Sequence, residues 1–366
     1  MERHAWDSII QEVKEARDFS QLRALRDRAH DVFLLHLPSE EPFEWNGGVN
    51  RLHDTIIYGT IEMTERILCE ERNEQVPLPY AFLLFGSGGR VEQTLWSDQD
   101  NGLIYADPGD EKEAEQAKAF FSVLSERISA NLEAAGYPPC SGGVLCTNDK
   151  WRQPLSGYLA MTNEWLAEPN WENVRYLLIA ADLRTIYGDR SLGESLIDSF
   201  VSYNQAHPLM YRHMLQNTLH HKVSIGIFGQ LIKERYGEDA GGVDVKYGAY
   251  IPIVNGVRLL ALEAGIRVTS TEGRIRLLLA QGHVPDEIGH DWLDALAAAL
   301  KLRSMTPFQL EEGHYTSRGK LTADLLTRER TTELKLCLRI GNELQKYVKK
   351  VVHSEIENRK KAGECW

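Results

Sequence analysis

Residues 80–105 read YAFLLFGSGGRVEQTLWSDQDNGLIY, and this stretch decides the fold. Residues 80–85 form an apolar run of strand length. The glycine-rich residues 86–89 follow at once, where a chain must turn tightly or approach a ligand closely. The acidic segment Asp98-Gln99-Asp100 then leads into a second apolar run at residues 103–105. The pattern predicts two strands with a magnesium site at a strand end, facing a glycine loop that can hold phosphate.

Asp98 and Asp100 carry the metal prediction. Alternate side chains of an extended strand share a face, so these two carboxylates point the same way. Close carboxylates repel each other unless a cation lies between them, and magnesium prefers oxygen ligands. We therefore predict that Asp98 and Asp100 are catalytic and hold two Mg²⁺ ions.

Each half of this pattern has an ordinary explanation when it is taken alone. An isolated Asp-x-Asp is typical of a solvated turn, and Gly-Ser-Gly-Gly is typical of many turns between strands and helices. No Gly-Lys-Ser/Thr follows the glycines, which excludes a Walker A loop, and the G-x-G-x-x-G dinucleotide pattern is incomplete. The specific signal is the combination of strand, Gly-Ser loop, spacer and Asp-x-Asp.

That combination resembles the signature of the DNA polymerase β-like nucleotidyltransferase superfamily. The fuller string is Gly-Ser-x-Gly-Arg-x-Glu-Gln at residues 86–93, followed by Ser-Asp-Gln-Asp-Asn at residues 97–101. It resembles a narrower nucleotidyltransferase group with a C-terminal substrate-binding helical domain. That group is related to the PII-protein uridylyltransferase and to the glutamine-synthetase adenylyltransferase.

The resemblance implies a Mg²⁺-dependent transfer of a nucleoside monophosphate from ATP or UTP to an acceptor hydroxyl. The acceptor would belong to a regulatory protein or a small molecule. Gly86, Ser87 and Gly88 would bind the nucleotide phosphates, and Arg90 would brace the loop or touch phosphate. Related enzymes often place a third carboxylate on the next strand, predicted here at residues 140–148. That stretch has no acidic residue, so Asp149 at its end is the candidate third metal ligand.

Two basic residues further along the chain are predicted to bind nucleotide phosphates. Arg184 lies in a segment, Ala-Asp-Leu-Arg followed by Gly-Asp, that resembles one found after the catalytic domain of PII uridylyltransferases. Lys246 lies in Asp-Val-Lys-Tyr-Gly, which resembles a segment shared with the adenylyltransferase. The later Gly-x-Arg of that segment is kept, but Leu259 replaces its acidic residue. Solvated surface charges are the alternative for both residues.

The predicted fold class is an α/β small mixed-sheet nucleotidyltransferase domain preceded by helices and followed by an all-α helical domain. The domains are predicted at residues 1–72, 73–155 and 156–366. The run Asn46-Gly47-Gly48 is expected to be a turn before a helix at about residues 49–71, and His53 is expected on the surface. A further helix is predicted at residues 171–187.

Composition restricts the partners and the compartment. The 366 residues carry a net charge of −12, which argues against broad nucleic-acid binding. Five scattered cysteines without CxxC spacing indicate reduced thiols, and no apolar stretch approaches the length of a membrane span. We therefore expect a cytoplasmic protein with no membrane partner, whose partners are a nucleoside triphosphate and an acceptor.

Two other functions stay open. One is a catalytically inactive signalling or regulatory module that binds nucleotide on the same fold, which the missing third carboxylate favours. The other is a nuclease or phosphatase that uses the paired aspartates, although this gives the Gly-Ser loop no role. Magnesium-dependent release of pyrophosphate separates a transferase from the inactive module.

Overall fold

The computed structural model describes residues 4–37, 39–218, 226, 230–311, 314–317 and 319–361. Its helices are α1 (Asp7–Lys14), α2 (Phe19–His36), α3 (Pro42–Arg72), α4 (Gly86–Gly89), α5 (Glu111–Ala134), α6 (Leu155–Ala167), α7 (Trp171–Ala180), α8 (Arg190–Ala206), α9 (Leu209–Thr218), α10 (Ile251–Glu263), α11 (Thr271–Ala280), α12 (Asp286–Ser304) and α13 (Arg328–Lys361). Its strands are β1 (Tyr80–Leu84), β2 (Asn101–Tyr105), β3 (Arg152–Pro154), β4 (Arg184–Gly188), β5 (Val243–Asp244), β6 (Phe308–Glu311), β7 (His314–Ser317) and β8 (Lys320–Leu321).

The chain divides into two compact units. The first contains Met1–Met161, Asp182–Leu196 and Gln309–Thr316, and the second contains Thr162–Ala181, Ile197–Phe308 and Ser317–Trp366. The first unit holds the four-stranded sheet and the helices before it, and the second is mainly helical. This architecture confirms the predicted fold class of a small mixed sheet with helices on either side of it in the sequence.

The sheet of the first unit has the order β3-β2-β1-β4. β1 pairs antiparallel with β2, from Tyr80 opposite Tyr105 to Leu84 opposite Asn101. β2 pairs parallel with β3, so the sheet is mixed. All five residues of β1 and all five of β2 are buried, as expected for strands with near-continuous apolar sequence that are covered on both faces.

β4 corrects the prediction of one helix over residues 171–187. α7 ends at Ala180, and Arg184–Gly188 forms a strand that pairs antiparallel with β1. The segment carries two β-branched residues and a tyrosine, which favour a strand when a neighbour is available for pairing. That neighbour lies about a hundred residues earlier in the sequence, so periodicity within the segment could not identify it.

α3 corrects the prediction of a turn at residues 46–48. The helix runs without interruption from Pro42 to Arg72, through both glycines. Trp6 explains Gly48, because a Cβ atom there would lie 2.6 Å from the indole Nε1 of Trp6, which is fully buried. The glycine thus permits a close approach to α3 and does not end the helix. Within the first unit, α3 packs against α1, α2, α5 and β4.

The second unit is built around α10. Eleven consecutive residues of this helix, Pro252 to Leu262, are buried. α10 packs against α9, α11 and α13, and α12 packs against α11 and α13. A helix that is buried on all sides in this way forms the centre of a helical bundle. Among the described residues, none of the helices combines the length and apolarity needed to cross a membrane.

A buried basic cluster lies between α2 and α3. Arg26, His30 and His53 are all almost fully buried, so the surface position predicted for His53 is wrong. The ring nitrogens of His53 lie 2.7 Å from the Tyr137 hydroxyl and 2.9 Å from the Thr94 carbonyl. Burial and the neighbouring Arg26 lower the pKa of His53 to about 3 and hold the pKa of His30 well below its usual range.

This pKa shift gives the protein a predictable dependence of stability on pH. The pKa of His53 is lower in the folded than in the unfolded chain. The contribution of neutral His53 to the free energy of unfolding is therefore complete above about pH 6.5 and is lost as the pH falls towards 3. Between pH 7 and pH 5 the loss is about 2 kcal/mol from His53 alone. We expect the His53→Gln variant to lose correspondingly less stability than the wild type between pH 7 and pH 5. The measurement is the free energy of unfolding in urea at the two pH values. Equal losses in both proteins would contradict a neutral, buried His53.

Candidate active site

Four of the predicted site residues line one pocket of the first unit. Ser87, Gly88, Asp98 and Asp100 are all part of its wall. Other residues of the wall include Gln93, Gln99, Asn101 and Tyr137. The pairing of β1 with β2 explains why these residues lie together. β1 leads into α4, and Asp98 and Asp100 shortly precede β2. The glycine segment and the aspartates therefore lie at the same end of a strand pair.

The glycine segment forms a short helical turn, α4, instead of an open loop. Gly86 starts it with a φ of 52°, in the left-handed region that favours glycine. A Cβ atom on Gly86 would lie 2.5 Å from Oδ2 of Asp100. The Phe85 amide donates to the Asp100 carbonyl at 2.9 Å, which fixes the start of the turn to the acidic segment. Gly86 is thus required both by its dihedral angle and by the carboxylate beside it.

Gln99 anchors the acidic segment. Its side chain is buried, and Nε2 donates to the carbonyls of Ser129 and Tyr137 at 3.0 and 2.8 Å. Its backbone amide donates to the Pro138 carbonyl. Asp98 is exposed and Asp100 half-buried, so both flanking carboxylates keep contact with solvent while the residue between them is fixed.

Cys140 is a neighbour of the acidic segment that the sequence did not reveal. Burial raises the pKa of its thiol to about 12, and the negative charges of Asp100 and Asp98 and a hydrogen bond with Asp100 contribute. The predicted third strand at residues 140–148 is wrong: the chain forms turns there, and the third strand is Arg152–Pro154. Glycines at 142 and 143 favour turns, and nothing in the sequence around Cys140 distinguishes it.

Asp149 is not brought into a group with Asp98 and Asp100. Its side chain is 71% exposed and forms an ion pair with Arg152. The pocket that holds the other two aspartates does not include it. Across the described ranges, no three acidic, histidine or cysteine side chains gather in a way that could hold a metal ion. The two aspartates are thus the acidic ligands that the pocket itself offers.

Arg90 occupies a buried ionic network. Its Nε donates to Glu92 at 2.9 Å and its Nη1 donates to Asp182 at 2.5 Å. All three side chains are at least 94% buried. These contacts tie the residues after α4 to Asp182, two residues before β4, and give the Arg90 guanidinium a bracing role. A contact between Arg90 and phosphate stays a prediction.

Arg184 binds the backbone of the glycine segment. Its Nη1 and Nη2 donate to the two carboxylate oxygens of Asp54 at 2.9 and 2.7 Å. Its Nε and Nη2 donate to the Gly88 carbonyl at 3.2 and 2.8 Å. A bidentate pair of this geometry fixes the guanidinium plane, and the guanidinium in turn fixes the Gly88 carbonyl. The structure thus places Arg184 at the predicted loop, as a residue that positions it.

Lys246 belongs to the second unit. It begins a π-helix, Lys246–Tyr250, a rare element that is frequent at functional sites. Its ammonium lies 5.4 Å from the ring centre of Tyr247, and its side chain is half-buried. Gly319 packs closely on it, since a Cβ atom there would lie 2.5 Å from that of Lys246. Its contact with nucleotide stays a prediction.

The pocket can hold a divalent cation by the chemistry of its donors. Asp98 and Asp100 present carboxylate oxygens, which are the ligands that Mg²⁺ prefers. The side-chain-free face of Gly86 leaves the Asp100 carboxylate directly beside the backbone of α4. The donors of this pocket are therefore of the kind that suits a magnesium ion.

Gly86→Ala tests the fit between α4 and the carboxylate. The left-handed φ costs an alanine about 1–2 kcal/mol, and its Cβ displaces the Asp100 carboxylate. We expect this variant to unfold at lower temperature and to bind triphosphate about tenfold more weakly, since one charge-assisted contact is lost. Gly88→Ala is the control for stability, because its Cβ would have no neighbour nearer than 3.5 Å. Equal effects of the two variants on stability would contradict this role of Gly86.

Comparison with known families agrees with this geometry. The family model described as putative nucleotidyltransferase DUF294 matches residues 42–172, which include α4 and both aspartates. The model described as putative nucleotidyltransferase substrate binding domain matches residues 208–352, within the helical part. A search of curated proteins finds no match. The two family matches show that the chain belongs to the DUF294 nucleotidyltransferases and carries the substrate-binding domain of that family, which gives it a general nucleotidyltransferase role.

Proposed function

We propose that this protein transfers a nucleoside monophosphate from a nucleoside triphosphate to an acceptor hydroxyl in a reaction that depends on Mg²⁺. The observation that carries the proposal is the contact between Gly86 and Asp100, where a side chain on the glycine would collide with the carboxylate. It puts a backbone suited to phosphate directly beside a side chain suited to metal. That juxtaposition is what a metal-bound triphosphate needs.

The roles of the residues follow from their positions. Asp98 and Asp100 hold the cation. A Mg²⁺ ion held by these two residues would supply positive charge that neutralises the triphosphate. Ser87 donates its hydroxyl to a phosphate oxygen, and the backbone of α4 cradles the terminal phosphates. Arg184 and Arg90 keep α4 in place through the contacts described above.

The donor is ATP or UTP, and the acceptor is a regulatory protein or a small molecule. A net charge of −12 makes a nucleic-acid acceptor unfavourable because two polyanions repel each other. Lys246 is proposed to contribute a cation to the phosphates, in keeping with its position at the start of a π-helix. The scattered cysteines favour a cytoplasmic location.

The experiment that tests the proposal is pyrophosphate release with each of the four nucleoside triphosphates, with and without Mg²⁺, in the presence of cell lysate. A radiolabel on the α-phosphate of the active donor then identifies the acceptor, since that phosphate is the one transferred. We expect release with ATP or UTP only when Mg²⁺ is present. Failure to release pyrophosphate from any triphosphate would refute the transferase.

One observation favours a catalytically inactive module that binds nucleotide. Among the residues that the structure describes, the pocket that holds Asp98 and Asp100 has no third carboxylate in its wall, whereas related enzymes often have one. A module of this kind binds triphosphate and releases no pyrophosphate. Calorimetric titration alongside the release assay distinguishes the two functions, because only the transferase gives signals in both.

A further inference from the structure

The first unit has a second pocket, whose wall is separate from that of the candidate active site. It encloses about 470 Å³, within the size range of small-molecule sites. α1, α2, α3, β4 and the start of α8 contribute its walls. None of the residues predicted to bind metal or nucleotide lines it. We call it the α1–α3 pocket.

One side of the α1–α3 pocket is apolar. Val13, Leu22, Met63 and Ile186 line it together with Tyr58. Tyr58 is 44% exposed, a large fraction for an aromatic residue in the middle of a long packed helix. Its ring centre lies 5.0 Å from that of Tyr187, which holds it in place. Such a wall suits a ligand with an aromatic or apolar body.

The charged groups of the pocket are unbalanced. Lys14 and Arg190 are exposed, and neither forms an ion pair with any residue of the described ranges. The Asp54 carboxylate faces Arg184, which leaves Glu62 as the acid opposite two cations. With the Asp54–Arg184 pair counted as neutral, two cations of the pocket face one carboxylate, in a chain whose net charge is −12. We propose that the α1–α3 pocket binds a small organic anion with an aromatic body.

A short chain of contacts joins this pocket to the glycine segment. Asp54 lines the α1–α3 pocket and accepts two hydrogen bonds from Arg184. Arg184 donates two hydrogen bonds to the carbonyl of Gly88, which lines the candidate active site. Two successive polar contacts therefore connect the two pockets within one unit.

This connection makes the anion a regulator of nucleotide binding. An anion beside Asp54 competes with that carboxylate for the Arg184 guanidinium and weakens its hold on the Gly88 carbonyl. The glycine segment then loses part of its positioning, and the bound anion lowers the affinity for triphosphate. The effect is reciprocal, so triphosphate lowers the affinity for the anion by the same factor. This regulatory part, unlike the binding site itself, rests on the proposed function.

Binding to the pocket is tested with 4-fluorophenyl phosphate and ¹⁹F NMR on the full chain in the absence of Mg²⁺. We expect saturable binding that Lys14→Gln/Arg190→Gln weakens about tenfold or more, since two charge-assisted contacts are removed. Lys112→Gln/Lys118→Gln removes two exposed charges of α5 and is the matched control. Inorganic phosphate should compete poorly if the aromatic body contributes. Equal binding by both double variants, or complete displacement by a non-hydrolysable triphosphate, would overturn the site.

Coupling is tested by titrating the non-hydrolysable triphosphate, with Mg²⁺, at saturating 4-fluorophenyl phosphate. We expect the triphosphate dissociation constant to rise about fivefold, the lower end of typical coupling between sites. Asp54→Asn should abolish this change while the fluorinated probe still binds. An unchanged constant in the wild type refutes the regulation. Absence of any triphosphate binding instead refutes the proposed function and leaves the probe titration to decide the pocket.

Discussion

Asp98→Asn and Asp100→Asn are each expected to lower Mg²⁺-dependent nucleotidyl transfer by about a thousandfold, because a metal ion contributes several kcal/mol to stabilising transition-state charge. Both carboxylates line the candidate active site, and among the described residues no third acidic group joins them. A single loss thus removes half of the acidic ligands. The measurement is the initial rate of pyrophosphate release at saturating triphosphate, with pyrophosphate followed by a coupled enzyme assay.

The fold of these two variants should be unchanged or slightly more stable. Two close carboxylates repel each other without a cation, and an amide at either position relieves that repulsion. Asp31→Asn is the matched control, because Asp31 is an exposed aspartate of α2 outside both pockets. Wild-type rates in either site variant would refute the metal assignment. A collapse of thermal stability would show that the aspartates serve the fold.

Arg90→Met should have the largest effect on stability, about 3–5 kcal/mol. The change keeps much of the side-chain volume but leaves Asp182 and Glu92 buried without the guanidinium between them. Removing one partner of a buried ionic network costs far more than the network itself contributes, because a buried charge is left uncompensated. Equilibrium unfolding in urea, followed by circular dichroism, measures the difference.

Arg127→Met is the control for an exposed ion pair. Arg127 contacts Glu71 at 2.5 Å, but both side chains are well exposed to solvent. Exposed pairs contribute about 0–1 kcal/mol, so this variant should unfold close to the wild type. If Arg90→Met costs no more than Arg127→Met, the buried network does not brace the fold.

The centre of the fold could be predicted from local sequence. β1 and β2 are short apolar runs bounded by a glycine segment and an acidic segment, and each needs only its neighbour about twenty residues away. The pairing of these strands also brings Asp98, Asp100 and Ser87 to one pocket, as predicted. Short-range order is what hydrophobic pattern and turn residues encode.

Elements that depend on distant partners could not be predicted. β4 has its pairing partner about a hundred residues earlier, and Gly48 remains helical where α3 packs closely against Trp6. His53 looked like a surface residue in sequence because its partners Tyr137 and Thr94 are far away along the chain. Tertiary packing decided each of these cases against the local signal.

Arg184 shows the same limit for function. Its sequence context associated it with the nucleotide site, and the structure does place it against Gly88. The sequence could not show that both terminal nitrogens of its guanidinium donate to Asp54, which lies 130 residues earlier. A basic residue in a family motif can thus act indirectly, by positioning the backbone that is proposed to bind the phosphates. No sequence motif includes Cys140. Irregular turns after Pro139, which the sequence did not predict, place it near Asp100.

The place of β4 in the sheet has a consequence for synthesis on the ribosome. β1 has β2 on one side and β4 on the other, and β4 is completed only at Gly188, after α6 and α7 have been made. While the roughly eighty residues between β2 and the end of β4 are translated, one hydrogen-bonding edge of β1 remains unpaired. Unpaired edges of apolar strands promote association between nascent chains. The order of the chain therefore leaves this edge open to association until β4 is made, and Arg184 of β4 reaches the Gly88 carbonyl at the same stage.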